Sequence, residues 1–269
     1  MTAQEWLAKS KLTELDSRLI LEKATGRKRE YLLAHPDTAL SPTELERSDR
    51  LASQRLTHKP MSQVLGQREF YGLEFKITPD VLTPRSETEV LVEQVIAQAP
   101  KAGVLLDLGT GCGAIAIAIA RHRPDLVLTA SDISPSALAI AQQNAQKHGA
   151  EINFLTSDLF QDVNERFDCI TANLPYLCED AELMPEVRQH EPRVALIGGS
   201  DGLDLYRRFF RQTQTHLKPL GLIYIEADPW QHPELVELAR AAGLKPMFED
   251  YFILGFKQPV IVEQPLASH

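Results

Sequence analysis

Two short stretches of the sequence carry side chains that could do chemistry. The first, Asp107-Leu108-Gly109-Thr110-Gly111-Cys112-Gly113, follows an apolar run and leads into a segment rich in alanine and isoleucine. Glycines at a strand end let the backbone turn sharply and approach a ligand closely, because they lack a Cβ. Asp132 follows the next apolar run, where a carboxylate can accept hydrogen bonds from ribose hydroxyls. This pattern predicts a site for an adenosine-containing ligand.

The glycines alone do not identify the ligand, because Gly109-x-Gly111-x-x-Ala114 also satisfies the looser dinucleotide fingerprint. Asp107 is expected at the lip of the loop. A carboxylate there would repel a pyrophosphate but can pair with the ammonium of an amino-acid moiety. This charge favours S-adenosylmethionine over NAD. The placement of Asp107 and Asp132 at consecutive strand ends argues against two ordinary solvated loop acids.

A third acid, Asp158, follows the apolar run at residues 152–155. It is placed to receive the amine of an adenine. It is equally placed to cap a helix that begins at Leu159, and both interpretations stay open at this point. Thr110 in the glycine loop, together with Ile133 and Leu159, which directly follow Asp132 and Asp158, is expected to line the same cofactor site.

The second stretch, Thr171-Ala172-Asn173-Leu174-Pro175-Tyr176-Leu177, also lies at the end of an apolar run. Asn173 offers a carbonyl acceptor and an amide donor, while Leu174 offers its backbone carbonyl. Pro175 stiffens the turn, and Tyr176 supplies a flat ring. Two carbonyls and a ring can grip a planar NH2 group through both its hydrogens. An ordinary Asn-x-Pro turn followed by a packing tyrosine is the alternative interpretation.

An amide nitrogen is a weak nucleophile, because its lone pair is delocalised into the carbonyl. Binding both hydrogens would polarise the nitrogen and direct its electron density at a sulfonium methyl. Catalysis would then depend on alignment of the reacting atoms, about 3–3.5 Å apart, and on preorganised dipoles.

Alternating strands and helices must position these two stretches, which predicts an α/β protein with a doubly wound sheet from Ser86 onward. The predicted strands are residues 104–108, 126–130, 152–155, 167–172, 222–227, 244–248 and 251–256. Ser134 and Pro135 should open one helix that Gly149 ends, and Asp228 and Pro229 should open another that Gly243 ends.

The segment before the sheet divides into a helical part and a connector. Trp6, Leu7, Leu12, Leu15 and Leu19 recur near a helical period, and Gly26 is placed to end a helix. Ser41-Pro42-Thr43-Glu44 predicts a capping box. Between residues 64 and 82, aromatic and β-branched residues punctuated by glycine and proline predict a hairpin. We therefore expect a helical domain at 1–63, a hairpin linker at 64–84 and a catalytic domain at 85–269.

Composition excludes several classes of protein. Residues 1–60 contain 11 Lys and Arg against 9 Asp and Glu, which leaves 17 against 28 for residues 61–269. This acidic balance disfavours nucleic acid as the substrate. Three cysteines without C-x-x-C spacing and scattered histidines predict neither a disulfide framework nor a metal site. With no apolar run of about 20 residues and no signal-peptide pattern, we expect a soluble, monomeric, cytoplasmic protein.

The sequence resembles the HemK/PrmC protein glutamine methyltransferases over nearly its whole length. Beyond the glycine loop and Asn-Leu-Pro-Tyr, the resemblance rests on Gln67-Arg68-Glu69-Phe70-Tyr71-Gly72, Thr83-Pro84-Arg85-Ser86-Glu87-Thr88-Glu89, Glu191-Pro192-Arg193-Val194-Ala195-Leu196, Gly198-Gly199 and Asp201-Gly202-Leu203. That family uses S-adenosylmethionine to modify the glutamine of the Gly-Gly-Gln motif in peptide chain release factors.

The resemblance implies a helical domain, a hairpin linker and a seven-stranded class I methyltransferase domain whose last strand is antiparallel. It implies that Asn173 and the Leu174 carbonyl bind the glutamine amide, with Pro175 and Tyr176 beside it. It places around the cofactor Asp107, Gly109, Thr110, Gly111, Gly113, Asp132, Ile133, Asp158, Leu159 and Asn173. Bordering the substrate it places Arg85, Glu191, Pro192 and Arg193. Alternatively, Arg85 and Glu89 simply support the first helix of the catalytic domain.

Two departures from the family pattern affect the expected activity. Leu174 replaces the first of two prolines, which should cost rigidity but keep the backbone carbonyl. Ala227 and Asp228 follow Glu226 where a glycine-bearing turn is expected. Two other functions therefore stay open. One is an adenine-amine methyltransferase acting on rRNA or DNA, and the other is a non-catalytic cofactor-binding module that docks on a release factor.

Overall fold

A computed structural model describes residues 1–259 of the chain. Its first part is helical. Thr2, Thr13 and Ser41 cap three of the helices with side-chain oxygens, and the predicted capping box of Ser41 with Glu44 is confirmed. The five helices of this domain are α1 (Ala3–Lys9), α2 (Glu14–Thr25), α3 (Arg29–Ala34), α4 (Pro42–Leu56) and α5 (Met61–Leu65).

Gly26 ends α2 in a left-handed conformation, as the sequence predicted. The predicted apolar period from Trp6 to Leu19 is wrong in one respect, because the chain breaks between α1 and α2 and the phase restarts at Thr13. Leu15 consequently points to solvent, and Ile20 and Leu21 provide the fully buried face instead. Trp6 packs in this small core and donates from Nε1 to Asp49.

The predicted hairpin is confirmed as a two-stranded antiparallel sheet of β1 (Gln67–Phe70) and β2 (Leu73–Lys76). Tyr71 and Gly72 turn the chain with positive φ angles of 51° and 71°, the conformation that two-residue hairpin turns require. Its Phe70 and Phe75 side chains belong to the apolar core of the following domain. The hairpin is therefore fixed to the catalytic domain by burial.

The remaining described chain forms one seven-stranded sheet covered by helices on both faces, a Rossmann-like arrangement. Its strands are β3 (Val104–Leu108), β4 (Val127–Asp132), β5 (Asn153–Thr156), β6 (Phe167–Ala172), β7 (Leu217–Glu226), β8 (Lys245–Asp250) and β9 (Ile253–Lys257). Its helices are α6 (Glu89–Gln98), α7 (Ala114–His122), α8 (Pro135–His148), α9 (Pro185–His190), α10 (Asp204–His216) and α11 (His232–Ala241).

The strand order β5-β4-β3-β6-β7-β9-β8 places β3 and β6 side by side at the centre of the sheet. The chain runs outward from β3 to β5, then returns to β6 and continues on the other side. The carboxyl ends of β3 and β6 thus form the switch point where open α/β sheets bind ligands. β9 runs antiparallel to both its neighbours, which confirms the predicted antiparallel last strand.

Strand boundaries differ from the prediction mainly at β7, which begins at Leu217 and not at residue 222. The prediction missed this first half because it contains Pro219, and a proline argues against a central strand. Ser134 and Gly149 bound α8 as predicted. Asp228 and Pro229 open a single 3-10 turn, after which α11 begins at His232.

The helical domain contacts the catalytic domain through α9. Arg55 of α4 donates to Asp16 and to Glu186 of α9, at 2.8 and 2.6 Å. Gln63 Nε2 donates to the carbonyl of His190 at 2.8 Å, and the His190 ring lies 3.2 Å from the Thr57 carbonyl. These bonds join the two domains at a segment that reaches the functional site. Within residues 1–259, every helix is too short or too polar to cross a bilayer.

Candidate active site

Two cavities open at the carboxyl ends of the central strands and meet at residues 173–175. The first lies above β3, β4 and β5 and encloses about 910 Å³, part of it open to solvent. The second lies between β6, β7 and the segment at residues 182–196, and encloses about 740 Å³ on the same measure. Asn173, Leu174 and Pro175 line both cavities. A group bound in one cavity can therefore meet a group bound in the other beside this turn.

The glycine loop after β3 forms one wall of the first cavity through Gly109 and Gly111. Both have positive φ angles, 69° and 56°, so the loop folds back over the strand end in a conformation that suits glycine. Gly113 and Thr110 lie behind this wall. Gly113 packs against α7 and α8, because a Cβ there would meet Ile117 at 2.8 Å and Ala141 at 3.2 Å.

Asp107 is fully buried beneath the loop and does not line the first cavity, so the prediction that it lies at the lip of the loop is wrong. Thr110 Oγ1 donates to Asp107 Oδ2 at 2.6 Å, and Thr171 Oγ1 donates to Oδ1 at 2.7 Å. Burial raises the pKa of Asp107 to about 6, although both hydroxyls lower it. Asp107 thus connects the glycine loop to β6. The position of an acid at a strand end in the sequence does not distinguish this structural role from contact with a ligand.

Asp132 lies at the end of β4 and lines the first cavity. Gly111 N donates to Oδ2 at 2.8 Å and Ser134 N donates to Oδ1 at 2.9 Å, which fixes the carboxylate between the glycine loop and α8. Burial raises its pKa. Each carboxylate oxygen has a second lone pair, so Asp132 can still accept hydrogen bonds from a ligand in the cavity.

Asp158 also lines this cavity, but no helix begins at Leu159, so the helix-cap interpretation is wrong. Leu159 has a positive φ of 51°, which is incompatible with a helical start. The residues that follow form turns, in which Asp162 N donates to Ser157 Oγ. Arg208 Nη2 of α10 donates to Asp158 at 2.8 Å. No sequence pattern indicated Arg208, because it lies 50 residues from Asp158 along the chain.

The acceptors and apolar groups of the first cavity fit an adenosyl ligand. Asp132 provides carboxylate oxygens, and the glycine loop permits close approach of the backbone. Apolar side chains for a purine come from Leu108, Val81, Ile133, Leu159 and Leu174. Gly109 itself leaves little room, since a Cβ there would lie 3.2 Å from Leu174 Cδ2.

Tyr206 of α10 holds the Asn-Leu-Pro-Tyr turn, residues 173–176, in place through hydrogen bonds. The Tyr206 hydroxyl is fully buried, accepts from Leu174 N at 3.3 Å and donates to the carbonyl of Glu226 at the end of β7. A proline at position 174 would have no N–H to donate here. The hydrogen bond from Leu174 to Tyr206 therefore offsets the loss of rigidity that was expected when leucine replaces the proline of the family pattern.

Two glycines fix the same turn from its other side. A Cβ on Gly198 would lie 2.3 Å from the Pro175 carbonyl oxygen, and one on Gly202 would lie 2.0 Å from the Tyr176 carbonyl oxygen. Buried Gln231 donates from Nε2 to that Tyr176 carbonyl at 2.9 Å. The altered turn after Glu226 thus still supports the site, since Asp228 N donates to Gln231 Oε1.

The second cavity brings Asn173 and Tyr176 together with Glu226, a residue that the sequence analysis did not place in the site. Thr88 Oγ1 donates to Glu226 Oε2 at 2.6 Å, and Tyr176 Oη lies 3.5 Å from Oε1. Burial raises the pKa of Glu226, and burial followed by the nearby Glu226 charge raises that of Tyr176. The available signal was the position of Glu226 at the end of the strand next to β6.

Arg85 lines the second cavity, and its Nη2 donates to both oxygens of Glu191, at 3.1 and 2.8 Å. The Glu191 side chain is buried, which raises its pKa although Arg85 lowers it. Glu89 instead accepts from Tyr71 N, so the alternative in which Arg85 and Glu89 together support the first helix is wrong. Pro192 lines the first cavity.

Arg193 is exposed and lines neither cavity, so the structure does not bring it to the site with Arg85 and Glu191. Val194 and Ala195 of the same 3-10 turn do line the first cavity. Across residues 1–259, no group of three or more His, Cys, Asp or Glu side chains is arranged to hold a metal ion.

Comparison with known proteins gives matches to both parts of the chain. Residues 2–66 match the family model "PrmC N-terminal domain", and residues 85–189 match "Methyltransferase small domain". The chain is 42% identical over 215 residues to the release factor glutamine methyltransferase of Geobacter sulfurreducens, covering 79% of this chain and 76% of that protein.

A second relative extends the match to almost the full length. The release factor glutamine methyltransferase of Bordetella pertussis is 38% identical over 261 residues, covering 95% of this chain and 96% of its own. Among solved structures, a methyltransferase from Pyrococcus furiosus superimposes with a TM-score of 0.55 at 17% identity, over 79% of this chain and all of that chain. That structure supports the fold.

The buried Asp107 predicts a specific dependence of stability on pH. Its folded-state pKa of about 6 lies above the ordinary value of 3.8. Its stabilising contribution is therefore complete below about pH 4 and is lost as pH rises through 6. We expect the free energy of unfolding of Asp107→Asn, relative to wild type, to rise by about 2 kcal/mol between pH 4 and pH 7.5.

Chemical denaturation at several pH values measures this difference. Asp201→Asn is the control, because its bond with Arg207 lowers the pKa of Asp201 to about 2. The Asp201→Asn difference should stay nearly constant over the same range. A constant difference for Asp107→Asn as well would contradict the predicted cost of ionising Asp107.

Tyr206→Phe tests the hydrogen bonds by which the Tyr206 hydroxyl connects the Asn-Leu-Pro-Tyr turn to β7. The substitution leaves the buried Leu174 N–H without its partner, so we expect a loss of about 1–3 kcal/mol in the free energy of unfolding. Tyr224→Phe is the matched control, because the buried Tyr224 hydroxyl has no hydrogen-bond partner within the described residues. Equal destabilisation of the two variants in thermal or chemical unfolding would show that the Tyr206 tie contributes nothing.

Proposed function

Because the chain belongs to the family of release factor glutamine methyltransferases, we propose that it methylates a glutamine side-chain amide of a peptide chain release factor, with S-adenosylmethionine as methyl donor. The observation that carries this proposal is the meeting of two cavities at Asn173, Leu174 and Pro175. One cavity has the acceptors for an adenosyl group, and the other has the groups for a planar amide. We propose the glutamine of the Gly-Gly-Gln motif as the target.

S-adenosylmethionine, when bound, supplies an electrophilic methyl group on a positively charged sulfur. The residues proposed to hold it line the first cavity, and they are Gly109, Gly111, Asp132, Ile133, Asp158 and Leu159. Asp132 is already oriented by Gly111 N and Ser134 N, so it needs little rearrangement to accept from ribose hydroxyls. Asp107, Thr110 and Gly113 contribute from behind by holding the loop and its helix in place.

The substrate amide is proposed to lie in the second cavity against the Asn-Leu-Pro-Tyr turn. Asn173 Oδ1 and the Leu174 carbonyl accept one N–H each, which draws electron density onto the nitrogen. Pro175 restricts the turn, and the Tyr176 ring packs on the face of the amide. Because these acceptors are fixed before the substrate arrives, little reorganisation is needed during the reaction.

Arg85 and Glu191 are proposed to shape the substrate entrance as a pair. The buried Glu191 holds the guanidinium of Arg85 at the cavity wall, where its outer half stays exposed. Such a group can bind carbonyl oxygens of an extended peptide, because a guanidinium has several N–H donors in one plane. Because a release factor acts in translation, we also propose that the protein is cytoplasmic, and we propose a monomer.

Neither alternative function has a comparable observation in its favour. An adenine-amine methyltransferase needs a basic face, whereas residues 61–269 are acidic and the second cavity contains Glu182 and Glu226. A non-catalytic docking module would not need an ordered turn. Here the Leu174 departure is accommodated by its bond to Tyr206.

Incubation of the protein with labelled cofactor and either a release factor or rRNA tests the substrate class. Mass spectrometry of the Gly-Gly-Gln peptide should show one added methyl group on glutamine, and rRNA should stay unlabelled. Label in rRNA would support the adenine alternative. Cofactor binding without transfer to either substrate would support the docking module.

Asn173→Ala tests the residue proposed to grip the amide. Its loss leaves a buried substrate N–H without an acceptor, at a cost of about 1–3 kcal/mol, so we expect methyl transfer to fall about 10- to 100-fold. Cofactor affinity measured by calorimetry should change by less than about 3-fold, because most of the first cavity is unaltered. Asn164→Ala, in an exposed loop, is the control. Wild-type turnover in Asn173→Ala would refute the assigned role.

A further inference from the structure

Glu226 and Thr88 lie next to Asn173 but have no role in the proposed contacts with substrate. The Glu226 side chain lines the second cavity, yet the residue is only 3% exposed. Thr88 is equally buried, in the 3-10 turn that precedes α6. A buried carboxylate beside a substrate cavity is costly unless its oxygens are hydrogen-bonded, so its partners indicate what it does.

The three side chains form a directed chain of hydrogen bonds. Thr88 Oγ1 donates its single proton to Glu226 Oε2 at 2.6 Å. Having given that proton, Thr88 Oγ1 can only accept from its other neighbour. Asn173 Nδ2 lies 3.4 Å from Thr88 Oγ1 and donates to it. The negative charge of Glu226 thus sets the direction of both bonds.

This direction decides which end of the Asn173 amide faces the substrate. An asparagine amide has almost the same shape with its oxygen and nitrogen exchanged, so only its hydrogen-bond partners select one orientation. With Nδ2 turned to Thr88, Oδ1 is the end that remains available in the cavity. In the reverse orientation, Asn173 would present a donor to the N–H donors of the substrate, and the grip would fail.

We propose that Thr88 and Glu226 are positioning residues that orient the Asn173 amide so that its oxygen faces the glutamine amide of the substrate. This proposal rests on the proposed function, because it assigns the two residues through the role of Asn173. Glu226 acts as a fixed acceptor. Tyr176 Oη donates to the other carboxylate oxygen, Oε1, and therefore does not compete with Thr88 for Oε2.

The surroundings of Glu226 agree with this role. Burial raises its pKa, whereas the bond from Thr88 and the nearby Asn173 amide and Tyr176 hydroxyl lower it, and the nearby acid Glu87 raises it further. The hydroxyl and amide donors thus favour the ionised form against the effect of burial. A Glu226→Gln side chain could donate to Thr88, which would let the Thr88 hydroxyl donate to Asn173 and reverse the amide.

Three substitutions test the orientation. Thr88→Val removes the hydroxyl with little change in shape, Thr88→Ser keeps it, and Glu226→Gln allows the reversed chain. With a release factor as substrate, we expect kcat to fall about 10-fold or more in Thr88→Val and Glu226→Gln. The KM for the release factor should change less than kcat. Thr88→Ser should keep kcat within about 3-fold of wild type.

Calorimetric affinity for S-adenosylmethionine reports whether each variant is folded and should stay within about 3-fold of wild type. Thr88→Val with normal kcat, or Thr88→Ser as impaired as Thr88→Val, would overturn the proposal. An inactive Glu226→Gln variant together with a fully active Thr88→Val variant would also overturn the proposal, because Glu226 would then act without Thr88.

A double-mutant cycle keeps the test decisive where a variant loses stability. If Thr88 acts only through Asn173, Thr88→Val should cause little further loss of kcat in the Asn173→Ala background. Losses that multiply would show that Thr88 acts independently and would overturn the proposal. Absence of methyl transfer by the wild type would instead contradict the proposed function, so the two failures are distinguishable.

Discussion

The close packing of backbone against the Asn-Leu-Pro-Tyr turn is the constraint on which the rest of the site depends. The turn follows the end of β6 and lies between the two cavities, where it belongs to no helix or strand. Gly198 and Gly202 let a second backbone segment lie against its carbonyls, and Tyr206 and Gln231 bind it from the remaining sides. Because the turn is bound on several sides, its amide and carbonyl groups have defined directions.

The buried acids of the site have structural duties that their position at strand ends does not reveal. Asp107 accepts from two threonines, Glu191 from Arg85, and Glu226 from Thr88. Burial raises the pKa of each, and each is bonded to donors that lower it. These acids thus act as fixed acceptors that hold loops, hydroxyls and a guanidinium in place. Asp132 and Asp158 differ because they line the first cavity directly.

The sequence predicted the sheet and the turn well, because both depend on local patterns. β3 and β6 begin and end where the apolar runs do, and Ser134 and Gly149 bound α8 as expected. Partners distant in sequence could not be predicted from such patterns. Arg208 lies 50 residues from Asp158, and Thr88 lies 138 residues from Glu226. Spacing also did not separate buried Asp107 from exposed Arg193, since both occur in motifs with functional residues.

The helical domain is connected to the second cavity through α9. Val187 of α9 lines the second cavity, while Glu186 of the same helix accepts from Arg55 of the helical domain. Glu191 follows α9 directly and holds Arg85 at the cavity wall. The helical domain therefore contacts, through α9, the same segment that forms one wall of the second cavity.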